Sequence, residues 1–170
     1  MSDTFHMEHP SRARVAAGRM ELRLVLPYPV SANRYWRQCV IRNRAMIYPS
    51  KDAKVFKAEC AALAAKAGVR PILGPVEYEL ALYPNLPQDW AKRAKADPVW
   101  WDMTVQCMDL DNARKVLLDA LNGICWTDDS RIRRDSAEIR VPEGPARCEI
   151  VVRPYRRAHP QVQLFEAQQA

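Results

Sequence analysis

The chain has 170 residues, 48% hydrophobic and 27% charged, with a net charge of +6 and a pI near 9.2. That balance suits one ordinary globular domain with its own core and excludes a chain disordered throughout. No uninterrupted apolar run approaches the roughly 18 residues of a membrane span, and Asp3, Glu8 and Arg12 precede no apolar signal block, so an intracellular protein without a membrane partner is expected.

Residues 1–19 are polar and aperiodic and read as a disordered leader, in which His6 and His9 beside Glu8 belong to a solvated tail. After Met20, the alternation Glu21-Leu22-Arg23-Leu24-Val25-Leu26 predicts a half-buried strand. Pro27, Pro29, Ser31 and Asn33 then break the chain into a turn. Extended pieces at Tyr35 to Val40 and Ala45 to Tyr48 pair as a ribbon. Ser50 suits the N-cap of a helix from Lys51 to Lys66, whose apolar stripe is read as Val55, Cys60, Leu63 and Ala64, with Gly68 at its end. A strand follows from Val76 to Tyr83. From Pro84 to Val105 no periodicity is seen, and Trp90, Trp100 and Trp101 with Lys92, Arg93 and Lys95 read equally as a nucleic-acid-facing flap or as packing over the core.

The next helix spans Leu110 to Asn122, with Ala113, Val116, Leu117, Ala120 and Leu121 as its buried stripe and Gly123 as its stop. Ile124-Cys125-Trp126 links it to Asp128-Asp129. Strands from Ile132 to Val141 and Ala146 to Val152, joined through Pro142-Glu143-Gly144-Pro145, read as a hairpin. Residues 154–170 read as a flexible tail. The five cysteines are odd in number, widely spaced and free of C-x-x-C pairs, which indicates reduced thiols and neither a disulfide framework nor a zinc site.

Charge is concentrated between Val30 and Arg70, where nine basic residues face two acidic ones. Interleaved with Tyr35, Trp36 and Tyr48, such a block suits contact with a phosphate backbone; a solvated basic face is the plainer alternative. Lys51, Lys54 and Lys57 sit in the first turns of a helix, where cations oppose the macrodipole, which points weakly to an anionic partner.

The run Met108-Asp109-Leu110-Asp111-Asn112 opens the second helix, Lys115 shares a face with Asp111, and Asp128-Asp129 arrives just past the helix end. Carboxylates gathered in one place repel unless a proton or a cation intervenes, and hard cations such as Mg2+ favour oxygen ligands. The competing reading makes Asp109 a cap, Asp111–Lys115 a surface ion pair and Asp128-Asp129 a turn. An EF-hand is excluded, because Arg114 and Ala120 stand where its loop needs Gly and Glu. A haloacid-dehalogenase phosphatase fits poorly, with Ala113 in place of its Thr or Val and too little chain following.

Leu26-Pro27-Tyr28-Pro29-Val30-Ser31-Ala32-Asn33-Arg34-Tyr35, Asp109-Leu110-Asp111-Asn112 with Lys115, Leu118-Asp119-Ala120-Leu121-Asn122-Gly123 and Trp126-Thr127-Asp128-Asp129 together resemble the RusA family of Holliday junction resolvases. The resemblance extends over residues 20–153. It implies an α+β fold with a mixed β-sheet packed against two main helices, a homodimer, and a bacterial or phage-encoded cytoplasmic enzyme. The implied activity is Mg2+-dependent endonucleolytic resolution of four-way junction DNA in recombination and repair, with Mn2+ as a possible substitute. Carried over by motif, Asp109, Asp111 and Asp129 are the catalytic carboxylates and metal ligands, and Lys115 is the catalytic lysine. The residues expected on DNA are Asn33, Arg34, Tyr35, Arg37, Arg42, Arg44, Lys51, Lys54 and Asn112. Two departures, Val105-Gln106-Cys107-Met108 in place of a basic run and the long 84–105 loop, bear on substrate contacts more than on chemistry. The alternatives are another divalent-metal DNA nuclease, flap or general, and a non-catalytic DNA-binding protein.

Overall fold

The computed structural model describes residues 12–16 and 19–157. Its strands are β1 (Arg12–Ala16), β2 (Arg19–Pro27), β3 (Trp36–Ile41), β4 (Arg44–Pro49), β5 (Val76–Tyr83), β6 (Ile132–Ile139) and β7 (Arg147–Pro154), and its helices are α1 (Ala32–Tyr35), α2 (Lys51–Lys66), α3 (Trp90–Ala96) and α4 (Leu110–Leu121). Five strands form one mixed sheet in the order β1-β2-β7-β5-β6, with β6 parallel to β5, while β3 and β4 form a separate antiparallel ribbon. The fold is therefore α+β with a mixed sheet, as expected.

Alternation along the strands builds the core. Leu22, Leu24 and Leu26 of β2 lie opposite Val152, Ile150 and Cys148 of β7, which in turn lie opposite Tyr78, Leu80 and Leu82 of β5. These three rungs point to one face and are buried with Ala53, Phe56, Cys60 and Ala64 of α2 and with Ala113, Val116, Leu117, Ala120 and Leu121 of α4. Truncating a central member such as Leu24 to Ala is expected to cost about 2–5 kcal/mol, since close-packed neighbours collapse only partly into the space. All five cysteines are free, and burial pushes Cys60 and Cys125 up to about 12, so both pack as neutral apolar groups. On the opposite face Arg153 bridges Glu21 and Glu79, each at 2.5 Å, tying β7 to both its neighbours.

The predicted α4 stripe is buried in full, and Gly123 leaves the helix with φ +78, a conformation that costs glycine little. Ser50 caps α2, its Oγ accepting from Ala53 N at 3.1 Å. The α2 stripe differs from the expected one: Val55 is 59% exposed and Phe56 takes the inward position. Spacing alone tolerated either register, and the larger ring gains more by burial.

Three other expectations are corrected. β6 and β7 do not form a hairpin, because β5 lies between them. The inner place goes to the strand that buries alternate side chains, whereas β6, with Arg133, Arg134, Asp135 and Glu138 exposed, suits an edge. Arg12–Ala16, assigned to the leader, pairs antiparallel with β2 through a register from Arg12–Arg23 to Ala16–Arg19. The rest of the expected leader, residues 1–11 and 17–18, and most of the expected tail, residues 158–170, lie outside the described residues. The stretch from Pro84 to Val105 holds α3 and a 3-10 turn at Trp101–Thr104, neither with a buried residue, so these two elements lie outside the core. It is tied to itself by Arg93, which binds Asp89 Oδ1 at 2.8 Å and the Thr104 carbonyl at 2.9 Å.

The β3–β4 ribbon turns through Arg42 and Asn43 with φ of 49 and 59, the two-residue hairpin geometry that glycine most easily adopts. Asn tolerates it, but the arginine pays roughly 1–2 kcal/mol for a left-handed backbone.

Candidate active site

Helix α4 starts where Asp109 Oδ1 accepts from the backbone N–H of Asp111 at 2.8 Å and of Asn112 at 3.2 Å. A carboxylate there satisfies two orphan donors and complements the helix dipole. The residue before it is also fixed: Met108 N donates to the Tyr28 hydroxyl at 2.9 Å, and that oxygen lies 3.3 Å from Cys107 Sγ. Burial first, and the Cys107 contact second, push the Tyr28 phenol up to about 12, so it stays neutral while holding the helix entry.

One turn on, Lys115 Nζ donates to Asp111 Oδ2 at 2.6 Å, and this hydrogen bond holds the Asp111 carboxyl below its usual range. Both side chains are more than 60% exposed, so the pair adds little stability. Asp129 opens the 3-10 turn Asp129–Arg131 after α4, and its Oδ1 accepts from the indole Nε1 of Trp126 at 2.7 Å. Trp126 is wholly buried, with its ring edge-on to Tyr78 at 5.8 Å, and its carbonyl accepts from Gly123 N. The neighbouring Asp128 accepts from Ser130 N at 2.9 Å, and hydrogen bonds from the Ser130 side chain and then its backbone lower the Asp128 pKa. The two members of the acidic pair thus have different tasks, and only Asp129 is anchored to the core.

Asp109, Asp111 and Lys115 therefore share the first turns of one helix, and Asp129 stands beyond its far end on a buried tether. Hard oxygen donors of this kind suit a divalent cation in their chemistry. They are not gathered into a ligand group: among the described residues no three His, Cys, Asp or Glu side chains stand together as a metal site. Each carboxylate accepts from a donor of the chain: a backbone amide for Asp109, the Lys115 ammonium for Asp111 and the Trp126 indole for Asp129.

The residues expected on DNA divide. Asn33, Arg34, Arg37, Arg42, Arg44, Lys51 and Lys54 are exposed, with Arg34 held by Asp52 at 2.8 Å. Asn112 is half-buried beside the Asp109 cap. Tyr35 is a correction: its ring is fully buried and its hydroxyl donates to Asp119 Oδ2, so it cannot stack on a base. Lys57 Nζ reaches the same Asp119 oxygen at 3.2 Å, so this carboxylate ties α1, α2 and α4 together. A groove of about 610 Å³ lined by Tyr28, Arg34, Lys51, Phe56 and Met108 joins the basic block to the start of α4.

Sequence reading missed Tyr28, Trp126 and Asp119 as positioning groups. Trp126 had a visible signal, because it lies three residues before Asp129 in the motif. Asp119 also lies in one of the family motifs, Leu118 to Gly123, but nothing local marked its role, since its partners are 84 and 62 positions away. Among the described residues no helix is long and apolar enough to cross a membrane. A family model described as Endodeoxyribonuclease RusA matches residues 27–153. No curated protein matches the chain.

Proposed function

This chain belongs to the RusA family of endodeoxyribonucleases, and from that premise we propose that it resolves four-way DNA junctions by hydrolysing paired phosphodiester bonds during recombination and repair. One observation carries the reading: the matched segment contains the basic block, Asp109 to Lys115 and Asp128-Asp129 in order. In this reading the protein is a homodimer in a bacterial or phage-infected cytoplasm, because two-fold symmetry presents one site to each of two opposed strands.

Asp109, Asp111 and Asp129 each keep one carboxylate oxygen outside the hydrogen bonds described; the fold leaves them ungathered, so in this reading they would have to be drawn together to hold Mg2+, or Mn2+ in its place. When bound, such a cation supplies charge neutralisation at the phosphate and a water of lowered pKa. The chain's own groups do the rest. The exposed arginines and lysines between Arg34 and Lys54 hold the backbone, and the groove beside Met108 leads it to α4. Lys115, released from Asp111, places an ammonium at the phosphate where charge develops during reaction. Trp126 keeps Asp129 oriented and Tyr28 keeps Asp109 at the helix start.

Incubating the protein with labelled four-way, flap and linear duplex DNA, in Mg2+ or in EDTA, tests the proposal. Metal-dependent cuts paired across the junction are expected. Equal cutting of all three substrates would make it a general nuclease, and binding without cutting would make it a DNA-binding protein.

A further inference from the structure

The β3–β4 ribbon is the part of the molecule least explained by folding. Its six-residue strands extend about 20 Å. Val40, Ile41, Met46 and Ile47 are each about half or more exposed on it. The register puts Gln38, Val40, Ala45 and Ile47 on one face and Arg37, Ile41, Arg44 and Met46 on the other, so apolar side chains project on both sides. A ribbon meant to lie on a protein surface would show one apolar face and one polar face. An isolated two-stranded ribbon is also marginal in water without something to pack against.

Charge identifies the occupant. From Trp36 to Pro49 the ribbon carries Arg37, Arg42 and Arg44 and no acidic residue. A second copy's ribbon would meet it with the same positive charge, so a polyanion fits better. The turn points the same way: both central residues have positive φ, where glycine would be unstrained, yet the positions hold Arg42 and Asn43. The tip keeps side chains at the expense of backbone ease. Phosphates satisfy the arginines but offer nothing to Val40 and Ile41. Base-pair faces do, and they open most readily where stacking is already interrupted, as at the branch point of a junction.

Resting on the junction reading above, we propose that the ribbon is a branch-point wedge, with Val40 and Ile41 against the exposed faces of the base pairs flanking the crossover and Arg37, Arg42 and Arg44 on the adjoining phosphates. The wedge confers preference for branched over linear DNA, while the arginines serve both.

The test compares wild type, Val40→Ser with Ile41→Ser, and Val40→Leu with Ile41→Leu, binding four-way junction and linear duplex in EDTA. A 2-aminopurine beside the branch point reports unstacking. Wild type should prefer the junction and raise the fluorescence. The Ser variant should lose roughly tenfold of that preference, as expected for two apolar contacts forgone, with duplex affinity nearly unchanged and no fluorescence rise. The Leu variant should behave as wild type. Equal loss on both DNAs, preference retained in the Ser variant, loss in the Leu variant, or a changed oligomeric state of the free Ser variant would each overturn the wedge. If wild type cuts junctions selectively in Mg2+ while the Ser variant keeps its preference, the wedge alone fails. If wild type neither prefers nor selectively cuts junctions, the junction reading fails with it.

Discussion

Replacing Trp126 by Phe removes the indole N–H that holds Asp129 at 2.7 Å but leaves an aromatic ring beside Tyr78. Two losses add. A charged hydrogen bond is worth about 1.5–3 kcal/mol, discounted here to about 1 because Asp129 is exposed and water replaces part of it. Shrinking a wholly buried side chain leaves space worth about 1–2 kcal/mol by the usual cavity cost. The sum, about 2–3 kcal/mol, lowers the Tm of a domain this size by about 5–10 °C without unfolding it at 25 °C. If Asp129 serves catalysis, freeing it should cost far more in rate, on the order of a hundredfold, with junction affinity unchanged. Asp129→Asn is the counterpart: its amide oxygen still accepts from the indole, so the Tm should hold while cleavage is lost. Calorimetry and single-turnover cleavage on the same preparations read both. A Trp126→Phe enzyme that melts early but cuts at the wild-type rate would refute the positioning argument.

Asp109→Asn should fold normally, because Asn caps as well as Asp, yet lose cleavage, whereas Asp109→Ala should also lose about 1 kcal/mol of stability by urea titration. A fully active Asp109→Asn enzyme would remove this residue from the site. Lys115→Ala should reduce turnover more than affinity, and carboxyl NMR should show the Asp111 pKa rising. Because the Lys115 bond depresses that pKa, the pairing is intact above the ordinary carboxylate range and is lost as pH falls through the lowered value; an unmoved Asp111 titration would contradict the pairing. Arg42→Glu with Arg44→Glu should flatten the slope of log K against log salt by about 0.7–0.9 per lost phosphate contact, and an unchanged slope would exclude both. Light scattering should give a dimer, and mixed dimers with one Asp111→Asn chain should leave a cruciform plasmid nicked; a monomer, or full linearisation by the mixed dimers, would defeat the paired-site model.

The elements best read from sequence are those whose signals are local. Helix α4 has a cap, a stripe of period 3.6 and a glycine stop within fifteen positions, and all three stand in the structure. β6 and β7 misled for the same reason: two alternating runs around a Pro-Gly turn describe a hairpin locally, while the insertion of β5 is decided by the whole core. Tyr35 sits among arginines and reads as a stacking ring until Asp119 folds over it. The acidic residues of the candidate site were legible as residue types and as a family pattern. Their arrangement was not, since which donor each carboxylate takes depends on groups such as the Trp126 indole whose burial no spacing reveals.

Asp119 has a mechanical consequence. Tyr35 immediately precedes β3, its carbonyl accepts from Ser50 N just after β4, and its hydroxyl is locked to the last turn of α4. Both roots of the ribbon are thereby riveted to the helix that bears Asp109. The interval between the ribbon's roots and the acidic turn is then a property of the chain; if ribbon and α4 both meet DNA as proposed, the molecule acts as a ruler that sets where along the strand a phosphate reaches α4.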